Sequence, residues 1–426
     1  MIIELPMEGM VFDKLEKLLE PCLPEEFLAS SWGRSYAHVR GWPGKFSHLL
    51  PWEQLNRILG QHRLDFPRLR LVRDGQSVAS NVYLRHVTSG RRRTQIPRLI
   101  PVQLTEQLRG GATLVLDAVD ELYEPLEALA EELERFFREH VQINAYAGWR
   151  TSRGFDLHWD DHDVFILQVA GRKRWSVYGA TRPFPLAADI EPNQKPAGEP
   201  LWDATLEAGD LLYIPRGWWH VAFPLDEPTL HLTVGIHNRT GLDLLRWLTE
   251  RMRASEDFRM DLPRFASAQE RAMRMERLRE ALLAEWDGAD DADELLERYY
   301  SDIDATASSR ARFSLPWSAT PEVLPASTDV RVRLTAPRPL DLKIEREPQQ
   351  PEGAGIIEFA CHGKRWRFAA DAMSILRPLA TANSRSVREL CEASADSIDE
   401  ARARTFLGEL ILHGLLAIVD DEAQEP

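Results

Sequence analysis

The sequence predicts a mainly β domain of sandwich or barrel type with helices around it, followed by a helical region and a small α+β unit. Three observations predict this. Between Val141 and His237, short segments rich in β-branched and aromatic residues recur, among them VQINAY, DVFILQV, KRWSVYG, DLLYIP and HVAFPL, with Gly and Pro between them. After Asn238 that texture stops and apolar residues recur at helical spacing. A chain of 426 residues is also too long for one small domain.

The elements follow in order. FDKLEKLLE sets Phe12, Leu15, Leu18 and Leu19 at helical spacing, and PWEQLNRIL opens on Pro51, which suits a first helical turn. RLRLV and NVYLRHV are strand-like. In DELYEPLEALAEELERFFREH, Leu122, Leu126, Leu129, Leu133 and Phe136 step by four and three and form one apolar stripe. The β-rich stretch comes next. GLDLLRWLTERMRA, SAQERAMRMERLREALLAEW and DELLERYYSDI then read as amphipathic helices, and the stripe of Met275, Leu278, Leu282 and Trp286 suits either a dimer interface or packing on the chain's own barrel. Beyond a Pro/Gln/Gly linker, EPQQPEGAG, a hairpin in IIEFACHGKRWRFA, two short helices and a longer one ending at Gly414 resemble a winged-helix unit. The expected domains are residues 1–240, 241–310 and 311–426. Asp420, Asp421 and Glu422 at the end favour a protein contact over nucleic acid for the last of these.

Composition narrows the function. A hydrophobic fraction of 44% with 13 Trp supports a large core, and a net charge of -15 argues against coating nucleic acid by bulk electrostatics. The basic run RHVTSGRRR reads as a solvated loop or hairpin. Three cysteines, Cys22, Cys361 and Cys391, lie far apart with no CxxC pair, which excludes a disulfide framework and a structural zinc site of that type. MIIELPMEGMVFDK has no signal-peptide pattern and no apolar window reaches the length of a membrane span, so a cytoplasmic protein is expected.

Two stretches carry chemistry. In GFDLHWDDHDVFILQVAGRKRW, His158 and Asp160 form an HxD pair, and alternate strand residues share a face. In GDLLYIPRGWWH, Pro215 and Gly217 mark a tight turn that can aim His220 into a barrel mouth. Two histidines and one carboxylate suit Fe(II), because three protein ligands leave positions open for a co-substrate and O2. His162 reads as a supporting or loop residue. Asp161 and Asp163 read as either orienting a ligand imidazole or solvated. His231 and His237 read as core or rim residues, and Trp218 and Trp219 as packing at the barrel mouth.

These stretches resemble the two signature segments of the JmjC-type cupins, and most closely those of the ribosomal oxygenases. The similarity extends to NAY within VQINAY and to PEEFLASSWGRSYAHVRG. The resemblance implies a double-stranded β-helix catalytic domain, a helical dimerisation region and a C-terminal winged-helix unit. It also implies an Fe(II)- and 2-oxoglutarate-dependent hydroxylase acting with O2 on an Arg or His side chain of a ribosomal protein. Carried over by position, His158, Asp160 and His220 are the iron ligands, and Lys173 pairs with the distal carboxylate of 2-oxoglutarate. Asn144 and Tyr146 line the co-substrate and substrate pocket, and Thr233 is a further hydrogen-bonding partner of 2-oxoglutarate. Lys at 173 is similar to the histidine hydroxylases, whereas some bacterial arginine hydroxylases carry Arg there. Nothing resembles a methyl-lysine cage, so hydroxylation is expected rather than demethylation. Other readings compete: a hydroxylase of a peptide precursor or amino-acid metabolite, a metal-binding cupin without oxygenase chemistry, and an interaction protein dominated by its C-terminal unit.

Overall fold

The computed structural model describes residues 13–90, 93–189, 194–286, 292–320, 324–340, 342–345, 355–380 and 384–419. Phe12, Arg91 and Arg92 of the basic run, most of EPQQPEGAG, and the acidic Asp420, Asp421 and Glu422 lie outside them. Two compact units divide between Asn238 and Arg239.

The first unit contains helices α1 (Asp13–Leu19), α2 (Pro24–Ser30), α3 (Trp52–Gln61), α4 (Pro101–Arg109) and α5 (Glu124–Phe137). Its strands are β1 (Ala37–Val39), β2 (Leu69–Arg73), β3 (Gln76–Ser77), β4 (Leu84–Ser89), β5 (Thr94–Leu99), β6 (Thr113–Leu116), β7 (His140–Gly148), β8 (Asp163–Ala170), β9 (Lys173–Ala180), β10 (Trp202–Leu206), β11 (Leu211–Ile214), β12 (Trp218–Pro224) and β13 (Thr229–His237). Eight of these form one sheet in the order β1-β11-β8-β13-β7-β6-β2-β3, with every neighbouring pair antiparallel. A smaller sheet, β10-β9-β12, is also antiparallel, and β4, with Arg85 to Ser89 of the basic run, pairs antiparallel with β5.

The burial pattern explains the architecture. β8 reads as an unbroken apolar run because both its faces are covered. Phe165 and Leu167 pack with Leu15, Phe27, Leu129 and Leu133 of the helices, whereas Val164 and Ile166 pack with Trp175, Val177 and Leu206 of the small sheet. The two sheets therefore face each other over a second apolar layer, and the helices cover the outside of the larger one. Leu126, Leu129, Leu133 and Phe136 of the α5 stripe are all buried, and Leu122 lies just before the helix, partly buried against the same core. Glu132, on the same helix, is buried too and accepts the backbone N–H groups of Lys14 and Leu15 (2.6 and 3.1 Å), which satisfies the otherwise unpaired start of α1.

The second unit begins with α6 (Gly241–Met252), α7 (Glu256–Arg259), α8 (Ala268–Trp286) and α9 (Ala292–Thr306). Thr240 and Asp243 form a capping box at the start of α6. The stripe foreseen on α8 is not buried in this chain: Met275 is 56% exposed, Trp286 42% and Leu282 39%, and the one buried α8 residue is Arg274, paired with Asp257. Then follow β14 (Arg331–Leu334), β15 (Lys343–Glu345), β16 (Ile356–Cys361), β17 (Lys364–Ala369), α10 (Met373–Ala380), β18 (Arg385–Ser386), α11 (Val387–Ser394), α12 (Glu400–Leu412) and β19 (Leu416–Val419). Val332, Ile357, Ile375, Leu390 and Leu407 share one core among these elements.

Candidate metal centre

His158 and Asp160 do not sit on a strand. They lie in the irregular segment before β8, and a single antiparallel bridge between His158 and His220 replaces the expected strand alternation. His220 N–H donates to His158 O (2.7 Å) and His158 N–H to His220 O (3.2 Å), so the two imidazoles start from facing backbone positions. The turn before β12 fixes the rest. Trp218 N–H bonds Pro215 O, and Gly217 N–H bonds Asp160 O at 2.9 Å. Gly217 has φ +83°, and a Cβ there would meet Pro185 Cδ at 2.5 Å, so only glycine fits. Asp163 holds this turn from beneath: it is buried and accepts from Arg216 N–H (2.7 Å) and from the Asn238 amide. The reading of Asp163 as solvated or as bonded to a ligand imidazole is therefore corrected. A buried carboxylate needs donors, and the backbone of the turn supplies one of them.

The side chains converge. His220 Nε2 lies 3.4 Å and His158 Nε2 3.9 Å from oxygens of Asp160. His158 Nδ1 bonds Asp156 O (2.8 Å) and His220 Nδ1 bonds Trp218 O (3.1 Å). A carbonyl can only accept, so each Nδ1 carries the proton and each Nε2 presents a lone pair. Burial, reinforced by the neighbouring His158, pushes the His220 pKa down to about 4 and keeps that imidazole neutral.

Ring orientation tests whether these donors fit a metal. Two imidazoles bonding one ion through in-plane lone pairs place it where their ring planes meet. The His158 and His220 rings are 4.4 Å apart and inclined by 58°. For symmetric inclination the planes meet about 4.5 Å from each ring centre, within a small ring rotation of the roughly 3.2 Å that a metal–nitrogen bond of about 2.1 Å demands. With Asp160 as the third donor, the set fits a first-row divalent ion such as Fe(II).

Asp161, His162 and His237 form a second cluster of like composition. His162 stacks on His237 at 4.4 Å with 29° between the rings, and His237 stacks in turn on His140 at 5.7 Å. At 29° the ring planes meet only about 9 Å away, too far for shared coordination. His162 Nδ1 pairs with Asp161 at 2.9 Å. Burial pulls the His162 pKa down, but Asp161, Asp160 and Asp163 together carry it above its ordinary value. Gly235 makes the room for this ring, since a Cβ there would meet it at 2.8 Å.

The remaining predicted residues line the space between the sheets. On β9, Lys173, Trp175 and Val177 share a face and stand opposite Pro224, Ala222 and His220 of β12. Lys173 is buried, with its ammonium 5.6 Å from the Trp175 ring centre, and burial alone lowers its pKa to about 7. On β7, Asn144 and Tyr146 stand opposite Thr233 and His231 of β13. Asn144 Oδ1 is already occupied, accepting from Ala118 N–H and Gln142 Nε2 (both 2.9 Å). Thr233 is half-buried beside Ile166 of β8. Trp219 is buried and donates to Thr181 (2.9 Å), and Trp218 is half-buried near Tyr36. His231, read as a core or rim residue, is buried on the strand face opposite Tyr146, with which it stacks at 4.8 Å and 8°.

A model of the JmjC domain matches residues 120–244, a span that contains all the site residues above. A Drosophila persimilis protein named bifunctional lysine-specific demethylase and histidyl-hydroxylase NO66 is 29% identical over 229 residues, 53% of this chain and 32% of that one. Ribosomal oxygenase 1 of Gallus gallus is 30% identical over 231 residues, 53% of this chain and 36% of that one. The chain thus spans about a third of the length of these curated relatives. Among solved structures, Escherichia coli ribosomal oxygenase YcfD gives a TM-score of 0.54 at 18% identity, over 93% of this chain and 98% of that one. YcfD in complex with cobalt and 2-oxoglutarate gives 0.53 at 18%, over the same shares. At such identity the likeness is one of fold.

Proposed function

A JmjC domain model matches residues 120–244 and the chain is similar to ribosomal oxygenases, and on that premise we propose that it belongs to the JmjC family and is an Fe(II)- and 2-oxoglutarate-dependent hydroxylase of a protein side chain. The observation that carries this reading is the convergence of His158, Asp160 and His220, with their Nε2 lone pairs and one carboxylate directed together, His220 lying on the strand that pairs with the one carrying the buried Lys173. We assign the three as the iron ligands. Iron, when bound, supplies the activation of O2 that couples conversion of 2-oxoglutarate to succinate and CO2 with hydroxylation of a C–H bond.

The chain's own residues do the rest. The Asp156 and Trp218 carbonyls hold the two imidazoles in one tautomer and orientation. Lys173 offers a point charge to the distal carboxylate. It stands four residues along β9 from Val177, the cross-strand partner of His220, a Cα separation of roughly 13 Å. That separation supports a short dicarboxylate bound between them. Val164, Ile166 and Leu212 wall this space and exclude water. Asn144, Tyr146 and Thr233 line it from the larger sheet.

The target we propose is an Arg or His side chain of a ribosomal protein, in keeping with the named relatives. We also propose that the exposed apolar residues of α8 form a homodimer interface, and that residues 311–426 make a protein contact in winged-helix fashion. Three free cysteines suit a reducing cytoplasm. No helix among the described residues is long and apolar enough to cross a membrane. Mass spectrometry of ribosomal proteins from cells with and without the gene tests the reading. One residue should lose the mass of one oxygen atom when the gene is absent; an unchanged ribosomal proteome would redirect the search to a peptide or metabolite target.

A further inference from the structure

Two nitrogens beside Lys173 lack partners among the described residues: His231 Nδ1 and Trp175 Nε1 are both buried with no hydrogen bond there. Trp175 lies two residues from Lys173 on the same face of β9, with the Lys173 ammonium 5.6 Å from its ring centre. His231 comes from the opposite sheet and meets Trp175 edge-on, with ring centres 5.4 Å apart and planes at 88°. Its other face is covered by Tyr146. Burial and the nearby charge of Lys173 keep its imidazole neutral, so one ring nitrogen carries hydrogen and can donate. Buried donors are nearly always satisfied in folded proteins, and two orphans around one unpaired cation ask for an anion.

We propose that His231 and Trp175 complete, with Lys173, a three-donor seat for the distal carboxylate of the co-substrate. This deepens the reading of the pocket as a 2-oxoglutarate site and rests on it. It moves the second donor from Thr233 to His231, two residues earlier on β13. The three groups belong to both sheets, so the bound carboxylate ties the small sheet to the large one. A competing partner exists within the chain: Gln168 stands cross-strand from His231, and its Oε1 is also buried and unpaired, while its Nε2 serves Thr229 and the Ala170 carbonyl.

Calorimetry on the full chain loaded with Mn(II) decides between these, with 2-oxoglutarate and 2-oxobutanoate as ligands. The second ligand keeps the 2-oxo acid but lacks the distal carboxylate. His231→Phe preserves the stack on Tyr146 and removes the N–H, and Trp175→Phe does the same for the indole. Each should weaken 2-oxoglutarate about tenfold or more and leave 2-oxobutanoate within about twofold, the scale of one hydrogen bond to a charged group. His231→Asn, whose amide nitrogen can occupy the Nδ1 position, should recover most of the loss, while His231→Gln should not. If 2-oxoglutarate affinity is unchanged in both Phe variants while Lys173→Ala weakens it, His231 serves Gln168 and the proposal is wrong. Equal weakening of both ligands likewise overturns it, since the effect is then on the pocket's shape. If the wild-type chain binds neither ligand, the 2-oxoglutarate reading itself fails and takes this one with it.

Discussion

Two clusters of two histidines and one aspartate adjoin each other in this chain, and only one is shaped to hold an ion. His158, Asp160 and His220 have each Nδ1 tied to a backbone carbonyl, which frees both Nε2 atoms, and their rings are inclined by 58°. In the other cluster His162 spends Nδ1 on Asp161, the very carboxylate that would be its co-ligand, and its ring lies nearly flat on His237 at 29°. Composition and proximity are shared. The difference is in what holds each ring: backbone acceptors orient a ligand, whereas a side-chain carboxylate and a stacked neighbour consume it.

The comparison can be broken most easily at the metal ligands. His220→Ala should reduce 2-oxoglutarate-coupled succinate formation by at least about a thousandfold, whereas His237→Ala should stay within about threefold, because a lost ligand removes the centre and a lost stacking partner does not. Comparable losses in both would erase the distinction. Next in size is Lys173→Ala, which should raise the Kd for 2-oxoglutarate about thirtyfold or more by leaving a carboxylate without its cation; calorimetry reads this directly.

The pH dependence of that affinity sharpens the assignment of Lys173. Its pKa is pulled to about 7 by burial, and a bound carboxylate must raise it. Above pH 7 the free protein increasingly holds the neutral amine, so binding takes up a proton and affinity falls by up to about tenfold per pH unit until the bound-state pKa is reached. Below pH 7 the amine is already charged and this slope vanishes. In Lys173→Arg the slope should be lost throughout, since guanidinium stays charged. Smallest is Asp163→Asn. The carboxylate that accepts from Arg216 N–H and Asn238 anchors the turn before His220. Its loss should cost about 1–3 kcal/mol in denaturant unfolding and weaken metal binding about tenfold while leaving the ligand set intact.

Much of this was legible in the sequence. The β-rich stretch, the covered strand DVFILQV, the Pro215–Gly217 turn and the α5 stripe all rest on local rules of period and turn chemistry. What was not legible depends on pairing between distant strands. His158 meets His220 through one bridge across the loop–β12 boundary, which no alternation within HWD reveals. His231 acquires its neighbours from Tyr146 on β7 and Trp175 on the facing sheet, so its own segment, THLTVGIH-like in texture with Leu230 inserted, reads as core. Asp163 looked like one more acid in a crowded run because the backbone amide it serves lies beyond β11. The α8 stripe was visible, but what covers it is not a property of period.

Metal stoichiometry tests the central claim most directly. Titration of the metal-free chain with Mn(II), followed by electron paramagnetic resonance, should give one tight site per chain. That site should persist in a His162→Ala, His237→Ala double variant and disappear in His158→Ala and in His220→Ala. A tight site that survives His220→Ala, or one that is lost with His162 and His237, would contradict the account.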